Sequence, residues 1–138
     1  MLTKTYGAAV TGVDAIVVTM EVAFDNGFGF CIVGLPDTAV KESYERVRSA
    51  IKEFGVEFPR RDIVVNMSPA DVKKEGAAYD LPIAVALLAA DGKLAADNLD
   101  KYMIMGELSL DGTILPIRGI LPMAIKARAE GFKGFIVP

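Results

Sequence analysis

A long alternation of apolar residues places the strongest constraint on the fold. Between residues 14 and 24 every second residue is apolar, which puts five side chains on one face: Ile16, Val18, Met20, Val22 and Phe24. Successive side chains of a β-strand point to opposite faces of the sheet, so this period of two predicts a strand that is buried on one side.

Two further β elements are expected beside this strand. In residues 2–7, Leu2, Lys4 and Tyr6 alternate with two threonines and a glycine, and residues 28–33 form an apolar run. Asn26-Gly27 separates this run from the long strand, and the dipeptide tolerates the positive φ angles of a tight hairpin turn. We therefore expect the chain to begin with three antiparallel strands.

Helical patterns follow. Asp37 is expected to cap a helix that ends at Gly55, because apolar residues recur between them at steps of four and three. This stripe consists of Val40, Tyr44, Val47, Ile51 and Phe54. Residues 81–90 are apolar on every side, which predicts a buried helix. A third helix is expected at 121–130, and short strands at 63–67, 102–105, 106–112, 113–117 and 132–137.

Length and charge define the class of protein. The 138 residues are expected to form one domain, residues 1–138. Apolar residues make up 52% and charged residues 24%, which is typical of a globular, soluble protein. The formal net charge is −3. A contact with nucleic acid would therefore need a local basic patch.

The N-terminus and the single cysteine indicate a compartment. Residues 1–7 lack the apolar segment of a signal peptide, and no run near 18 apolar residues exists. Cys31 has no partner for an internal disulfide and is expected to be buried and inert. These features predict a cytoplasmic protein with no membrane partner. Because the sequence stops at the apolar Val137-Pro138, we expect it to be the N-terminal part of a longer protein.

Residue content excludes several kinds of site. The chain has no histidine, which excludes a Ser-His-Asp triad and a histidine-based zinc site. It lacks the run G-x-x-x-x-G-K-[ST], so no nucleotide cofactor is expected on these residues. Five acidic residues near predicted loops match no metal-loop spacing and are expected in solvated turns or caps: Asp71, Glu75, Asp80, Glu107 and Asp111.

One segment has the form of an active-site loop. Residues 73–84 read KKEGAAYDLPIA and lead through a glycine into the predicted buried helix. Ala77 and Ala78 occupy the place where such a loop would present a reactive group, and alanine has none. A Ser–Lys pair, in which a desolvated lysine deprotonates a serine, would have to use Ser68 with Lys73 or Lys74.

Two stretches resemble the proteolytic domain of Lon-type proteases. They are NMSPADVKKEGAAYDLPIAVALLAA and MGELSLDGTILPIRGILPMAIKARAEGFKGFIVP. They follow the order of that family's K-D-G-P-S-A-G run and of its later G-G-(L/I)-K-x-K run. In this match Ala78 occupies the position of the nucleophile and Leu121 that of the catalytic lysine. The resemblance implies an α/β, two-layer Lon-type fold, related to the second domain of the ribosomal protein uS-five class, without the peptidase dyad.

Three motifs more closely resemble the N-terminal domain of the magnesium-chelatase-like AAA+ family, of the ComM and YifB type. They are IVGLPDTAVKESYERVRSAI, VNMSPADVKKEGAAYDLPIA and GELSLDGTILPIRGILPMA. In that family a Lon-like domain without the dyad precedes an ATPase module, and ComM proteins are implicated in DNA branch migration during natural transformation, as hexameric helicases. The resemblance implies a non-catalytic domain of a hexameric parent whose downstream module holds ATP and Mg²⁺. Its implied role is to assist hexamer assembly or to engage branched or single-stranded DNA.

Basic residues are the candidates for a DNA or partner contact. Lys73 and Lys74 precede the buried helix, Arg60 and Arg61 precede a strand, and Arg118 replaces the first glycine of the Lon pair. Such a patch would give weak, salt-sensitive binding without sequence preference. Two alternatives stay open: a Lon-type Ser–Lys peptidase with a displaced dyad, and a protein-interaction adaptor without DNA contact.

Overall fold

A mixed sheet of six strands organises the chain. The computed structural model describes residues 2–138. The strands are β1 (Thr3–Thr11), β2 (Asp14–Asp25), β3 (Phe30–Val33), β4 (Asp62–Ser68), β5 (Tyr102–Ile104), β6 (Glu107–Leu108), β7 (Ile114–Leu115) and β8 (Gly134–Ile136). The large sheet has the order β3-β4-β2-β1-β5-β8, and β6 and β7 form a separate small hairpin.

Four α-helices accompany the sheet. They are α1 (Thr38–Lys41), α2 (Ser43–Glu53), α3 (Asp80–Ala90) and α4 (Ile120–Ala129), and a short 3-10 helix spans Leu99–Lys101. The side chain of Asp37 accepts a hydrogen bond from Val40 N at 2.8 Å, which confirms the predicted cap. The expected single helix is interrupted at Glu42, and Phe54 is exposed beyond the end of α2, so the apolar stripe ends earlier than predicted.

The alternation in β2 is confirmed as a core strand. Val18, Met20 and Val22 are fully buried, and Met20 pairs with Met67 of β4 in the antiparallel ladder. The predicted β2–β3 hairpin is wrong, because β4 lies between the two strands and β3 pairs with it in parallel. The tight turn of the sheet instead joins β1 to β2, where Thr11 pairs with Asp14. A parallel pair requires a crossover, and α1 and α2 provide it.

Helices lie on both faces of the sheet. Thr5 and Tyr6 are neighbours in β1 and therefore point to opposite faces. The hydroxyl of Thr5 donates to the carbonyl of Pro82 in α3, whereas the ring of Tyr6 packs 5.7 Å from that of Phe132, just after α4. The mixed α/β class is therefore confirmed, but the arrangement has more than the two layers expected, because α3 covers one face of the sheet and α4 covers part of the other.

The edge strand β3 corrects the expectation for Cys31. β3 has one neighbour in the sheet, and its side chains alternate between partly buried and exposed. Cys31 falls on the exposed side, so the predicted buried thiol is wrong. After this strand Gly34 has a φ of 107°, and a Cβ there would lie 2.0 Å from the carbonyl oxygen of Met67. A glycine is needed because the two backbones approach closely.

None of the helices in residues 2–138 is long and apolar enough to cross a membrane. The same residues contain no group of three or more His, Cys, Asp or Glu side chains placed to hold a metal ion.

Candidate functional site

The loop that resembles an active-site loop forms one wall of a cleft of about 570 Å³. We call it the alanine cleft. Its first wall is residues 75–79, and its second is residues 116–119 with Met123 of α4. The remaining lining comes from Ala8, Val10, Met105 and Glu107. The fold therefore brings the two Lon-like motifs together at one concave site.

Backbone pairing holds the first wall in place. Pro36 and Lys74 form an isolated parallel bridge, in which Asp37 N donates to the Lys74 carbonyl and Lys74 N to the Leu35 carbonyl, both at 2.9 Å. The carboxylate of Asp37 also accepts from Gly76 N at 3.1 Å. One aspartate thus caps α1 and fixes the loop that leads to the cleft.

The Lys74 side chain points into the protein. Its exposure is 0%, and Nζ donates to the carbonyl of Gly34 at 2.8 Å and to that of Pro69. Removal from water lowers the pKa of Lys74, and the charge of Asp71 acts in the opposite direction. Lys74 was expected among the DNA or partner contacts, and this expectation is wrong, because a buried ammonium cannot reach a phosphate.

Asp80 is the second buried charge beside the loop, with an exposure of 0%. Arg46 contacts both carboxylate oxygens, with Nε donating to Oδ2 at 2.6 Å and Nη2 to Oδ1 at 3.0 Å. The hydroxyl of Ser43 donates at 2.6 Å and the backbone N–H of Leu108 at 3.1 Å. The hydrogen bond to Asp80 raises the pKa of Arg46. The expected solvated role of Asp80 is therefore wrong.

Part of this network is local in the sequence. Glu42 and Arg46 have the i,i+4 spacing of a helical ion pair and lie 4.0 Å apart, but this pair is longer and more exposed than the pair with Asp80. Asp80 lies 34 residues from Arg46 in the sequence. No local spacing rule relates such distant positions. The signal that could have found the network is the aspartate at the first position of a helix that is apolar on every side.

The two positions matched to the Lon dyad do not meet. Ala78 lines the alanine cleft, whereas Leu121 in the first turn of α4 is 70% exposed and is not part of the lining. Arg118 does line the cleft. Burial raises the pKa of the Tyr79 phenol above its ordinary value of 10.0. No serine, threonine, cysteine or lysine is among the described lining residues.

The alternative dyad has no hydrogen-bond support in residues 2–138. Nζ of Lys74 is bound to two carbonyl oxygens, and Lys73 pairs with Glu75 at 3.5 Å. The hydroxyl of Ser68 contacts the side chain of Asn66 at 3.5 Å. Neither lysine is positioned in this structure to deprotonate the serine.

Arg60 and Arg61 belong to a different concavity, of about 450 Å³. We call it the aromatic groove. Four aromatic and four basic residues line it: Phe28, Phe30, Tyr44, Phe58, Arg48, Lys52, Arg60 and Arg61. The remaining lining residues are Gly29, Val56, Glu57, Pro59 and Ile63, so one carboxylate faces four cations. The groove shares no lining residue with the alanine cleft, which separates Arg118 from the arginine pair.

Comparisons with known proteins agree with this architecture. The family model described as subunit ChlI of Mg-chelatase matches residues 20–138. The chain belongs to this family. It is 50% identical to YifB of Salmonella typhimurium over 124 residues, and 43% identical to competence protein ComM of Haemophilus influenzae over 124 residues. Each match covers 89% of the chain and 24% of the relative, so the chain spans about a quarter of these relatives.

A more distant similarity concerns the proteases. Lon protease 2 of Bacillus subtilis is 30% identical over 98 residues, which cover 71% of this member of the ChlI family and 17% of the protease. The sequence similarity of the chain therefore extends to both groups of proteins.

Replacing Asp80 by alanine is predicted to destabilise the chain by about 3–5 kcal/mol, because the Arg46 guanidinium would remain largely buried without its anion. Urea unfolding followed by circular dichroism measures the loss. The matched control is Glu57→Ala, which breaks an exposed ion pair with Arg60 at 3.0 Å and is expected to cost less than about 1 kcal/mol. Equal losses for the two variants would contradict this account of Asp80.

Replacing Lys74 by methionine is predicted to cost about 1–3 kcal/mol, because the carbonyls of Gly34 and Pro69 lose their donor. Lys73→Met is the control, since that side chain is exposed and is expected to contribute less than about 1 kcal/mol.

The two lysine variants also differ in pH dependence. The pKa of Lys74 in the folded chain lies below the ordinary value of 10.5, which applies to the unfolded chain. At pH values between these two pKa values, the unfolded chain binds more protons than the folded chain. The free energy of unfolding of the Lys73→Met variant should therefore rise with pH just below 10.5, relative to that of Lys74→Met. Parallel pH profiles for the two variants would show that Lys74 is not held in a desolvated site.

Proposed function

We propose that the chain is the non-catalytic N-terminal domain of a Mg-chelatase-like AAA+ ATPase of the ComM and YifB type, built on the Lon proteolytic-domain fold. In this proposal it engages DNA for a hexameric parent that acts in branch migration and competence in the cytoplasm. ATP and Mg²⁺ belong to a downstream module of that parent. The observation that carries the proposal is that both Lon-like motifs line one cleft, which contains Ala78 at the position matched to the nucleophile.

The content of the alanine cleft supports a non-catalytic role. Peptidase chemistry of the Lon type requires a serine beside a lysine that accepts its proton. The lining offers Glu75, Tyr79, Glu107 and Arg118 instead. Leu121, at the position matched to the catalytic lysine, is exposed on α4 and is not part of this lining.

The distribution of charge supports engagement of DNA. The whole chain has a formal net charge of −3, yet four cations and one carboxylate line the aromatic groove. Arg61 lies 5.4 Å from the centre of the Phe24 ring, and its Nε donates to the carbonyl of Asp25 at 3.4 Å. A local concentration of arginines of this kind attracts a phosphate backbone.

A second candidate function is that of a protein-interaction domain, for instance in hexamer assembly. The observation that favours it is a pair of exposed apolar side chains one helical turn apart on α4, Leu121 at 70% and Ile125 at 60% exposure. Apolar pairs at this spacing present one face to a partner. Assembly through α4 and DNA binding through the groove are compatible.

The double variant Arg60→Glu/Arg61→Glu is predicted to weaken binding of DNA to the chain about tenfold or more at low salt, because two phosphate contacts become repulsive. Fluorescence anisotropy with labelled forked and single-stranded oligonucleotides measures the affinity. Lys126→Glu/Arg128→Glu on α4 is the control with the same change of charge, and it is expected to have a much smaller effect.

Two results would overturn the proposal. One is the absence of measurable DNA binding by the unchanged chain at low salt with either kind of oligonucleotide. The other is casein digestion by the chain that is lost in Ser68→Ala, since this would establish the peptidase alternative.

A further inference from the structure

The aromatic groove contains a large apolar side chain that is left in water. Phe28 follows β2 in the loop before β3, and it is 88% exposed at the edge of the groove. Its ring is not among the close aromatic pairs of residues 2–138. A flat ring with a free face beside several cations can stack against another flat ring.

The other three aromatic rings that line the groove pack against one another. Tyr44 lies 4.5 Å from Phe30 and 5.9 Å from Phe58, measured between ring centres. Contacts on two sides fix the orientation of the Tyr44 ring before any ligand arrives. A second planar group that enters the groove would therefore meet a pre-oriented ring, which reduces the entropy lost on binding.

The cations of the groove come from two segments of the chain. Arg48 and Lys52 follow Tyr44 on α2 at intervals of four residues, about 6 Å apart along the helix axis. Arg60 and Arg61 contribute from the segment before β4. One carboxylate, that of Glu57, is present and pairs with Arg60 at 3.0 Å. The groove therefore combines four aromatic rings with four cations and one carboxylate.

We propose that the aromatic groove binds single-stranded nucleic acid, with a base stacked on Phe28 and backbone phosphates held by Arg48, Lys52 and the arginine pair. The inference rests on the proposed engagement of DNA. It adds that the bound nucleic acid is single-stranded and names the residues that contact it. A duplex keeps its base faces stacked inside the helix, so it could use the cations but not the rings. An acidic peptide would also use the cations and would leave the exposed ring without a planar partner.

The test uses the 138-residue chain and an oligothymidine strand. Phe28→Ala is expected to weaken binding of this strand about 5- to 150-fold, which is the range for loss of one stacked base, and to leave binding of a blunt duplex unchanged. Phe54→Ala is the matched control, because Phe54 is also a phenylalanine with 81% exposure but lies outside the groove. Both side chains are exposed, so neither variant should lower the melting temperature.

A second readout detects stacking directly. The chain has no tryptophan, so Phe28→Trp introduces a single tryptophan whose emission can be followed separately from that of the tyrosines. Its emission should be quenched by oligothymidine and not by the duplex or by polyglutamate, and Phe54→Trp should be quenched by none of them. Arg48→Gln/Lys52→Gln should reduce the slope of log affinity against log salt by about 0.7 for each phosphate contact removed.

The outcomes separate this inference from the proposal beneath it. If DNA binds and depends on Arg60 and Arg61, but Phe28→Ala has no effect and Phe28→Trp is not quenched, the single-strand inference is wrong and DNA engagement stands. Quenching by polyglutamate in place of oligothymidine would assign the groove to an acidic peptide and overturn the inference. Failure of the chain to bind any DNA would overturn both.

Discussion

The buried carboxylate of Asp80 is the interaction on which the rest of the structure depends. A charge removed from water is tolerated when it is paired and fully hydrogen-bonded, so α2 must bring Ser43 and Arg46 to the start of α3. This requirement sets the rotation of α2 about its axis. Tyr44 and Arg48, on another side of the same helix, then line the aromatic groove. The buried pair and the proposed binding surface are two faces of one helix.

The loop between the buried charges of Lys74 and Asp80 is held by several hydrogen bonds. Lys74 joins the loop to two backbone carbonyls, Asp37 holds Gly76, and Asp80 begins the helix that follows. These contacts would position a reactive side chain accurately, and the position is filled by Ala78. None of the buried side-chain nitrogen and oxygen atoms in residues 2–138 lacks a hydrogen-bond partner. The buried polar groups at both ends of the loop are therefore fully hydrogen-bonded.

Local patterns predicted the elements better than their pairing. The period of two in β2, the Asp37 cap and the apolar helix at residues 81–90 are properties of neighbouring residues, and the structure confirms each. The β2–β3 hairpin was wrong because β4, far along the chain, competes for the same edge of β2. Burial of Lys74 likewise depends on carbonyls that are distant in sequence. The resemblance to two families located the alanine cleft, whereas the aromatic groove arises from three separate segments, of which the quoted motifs include only the one that carries Tyr44 and Arg48.

We propose that nucleic acid binds in the aromatic groove and that the alanine cleft has no catalytic role. Amide chemical-shift mapping of the ¹⁵N-labelled chain with oligothymidine tests this most directly, because each wall is observed separately. The account predicts that the largest shifts fall on residues 28–30, on α2 around Tyr44 and Arg48, and on residues 58–61. Shifts concentrated on residues 75–79 and 116–119, with the groove unaffected, would contradict it.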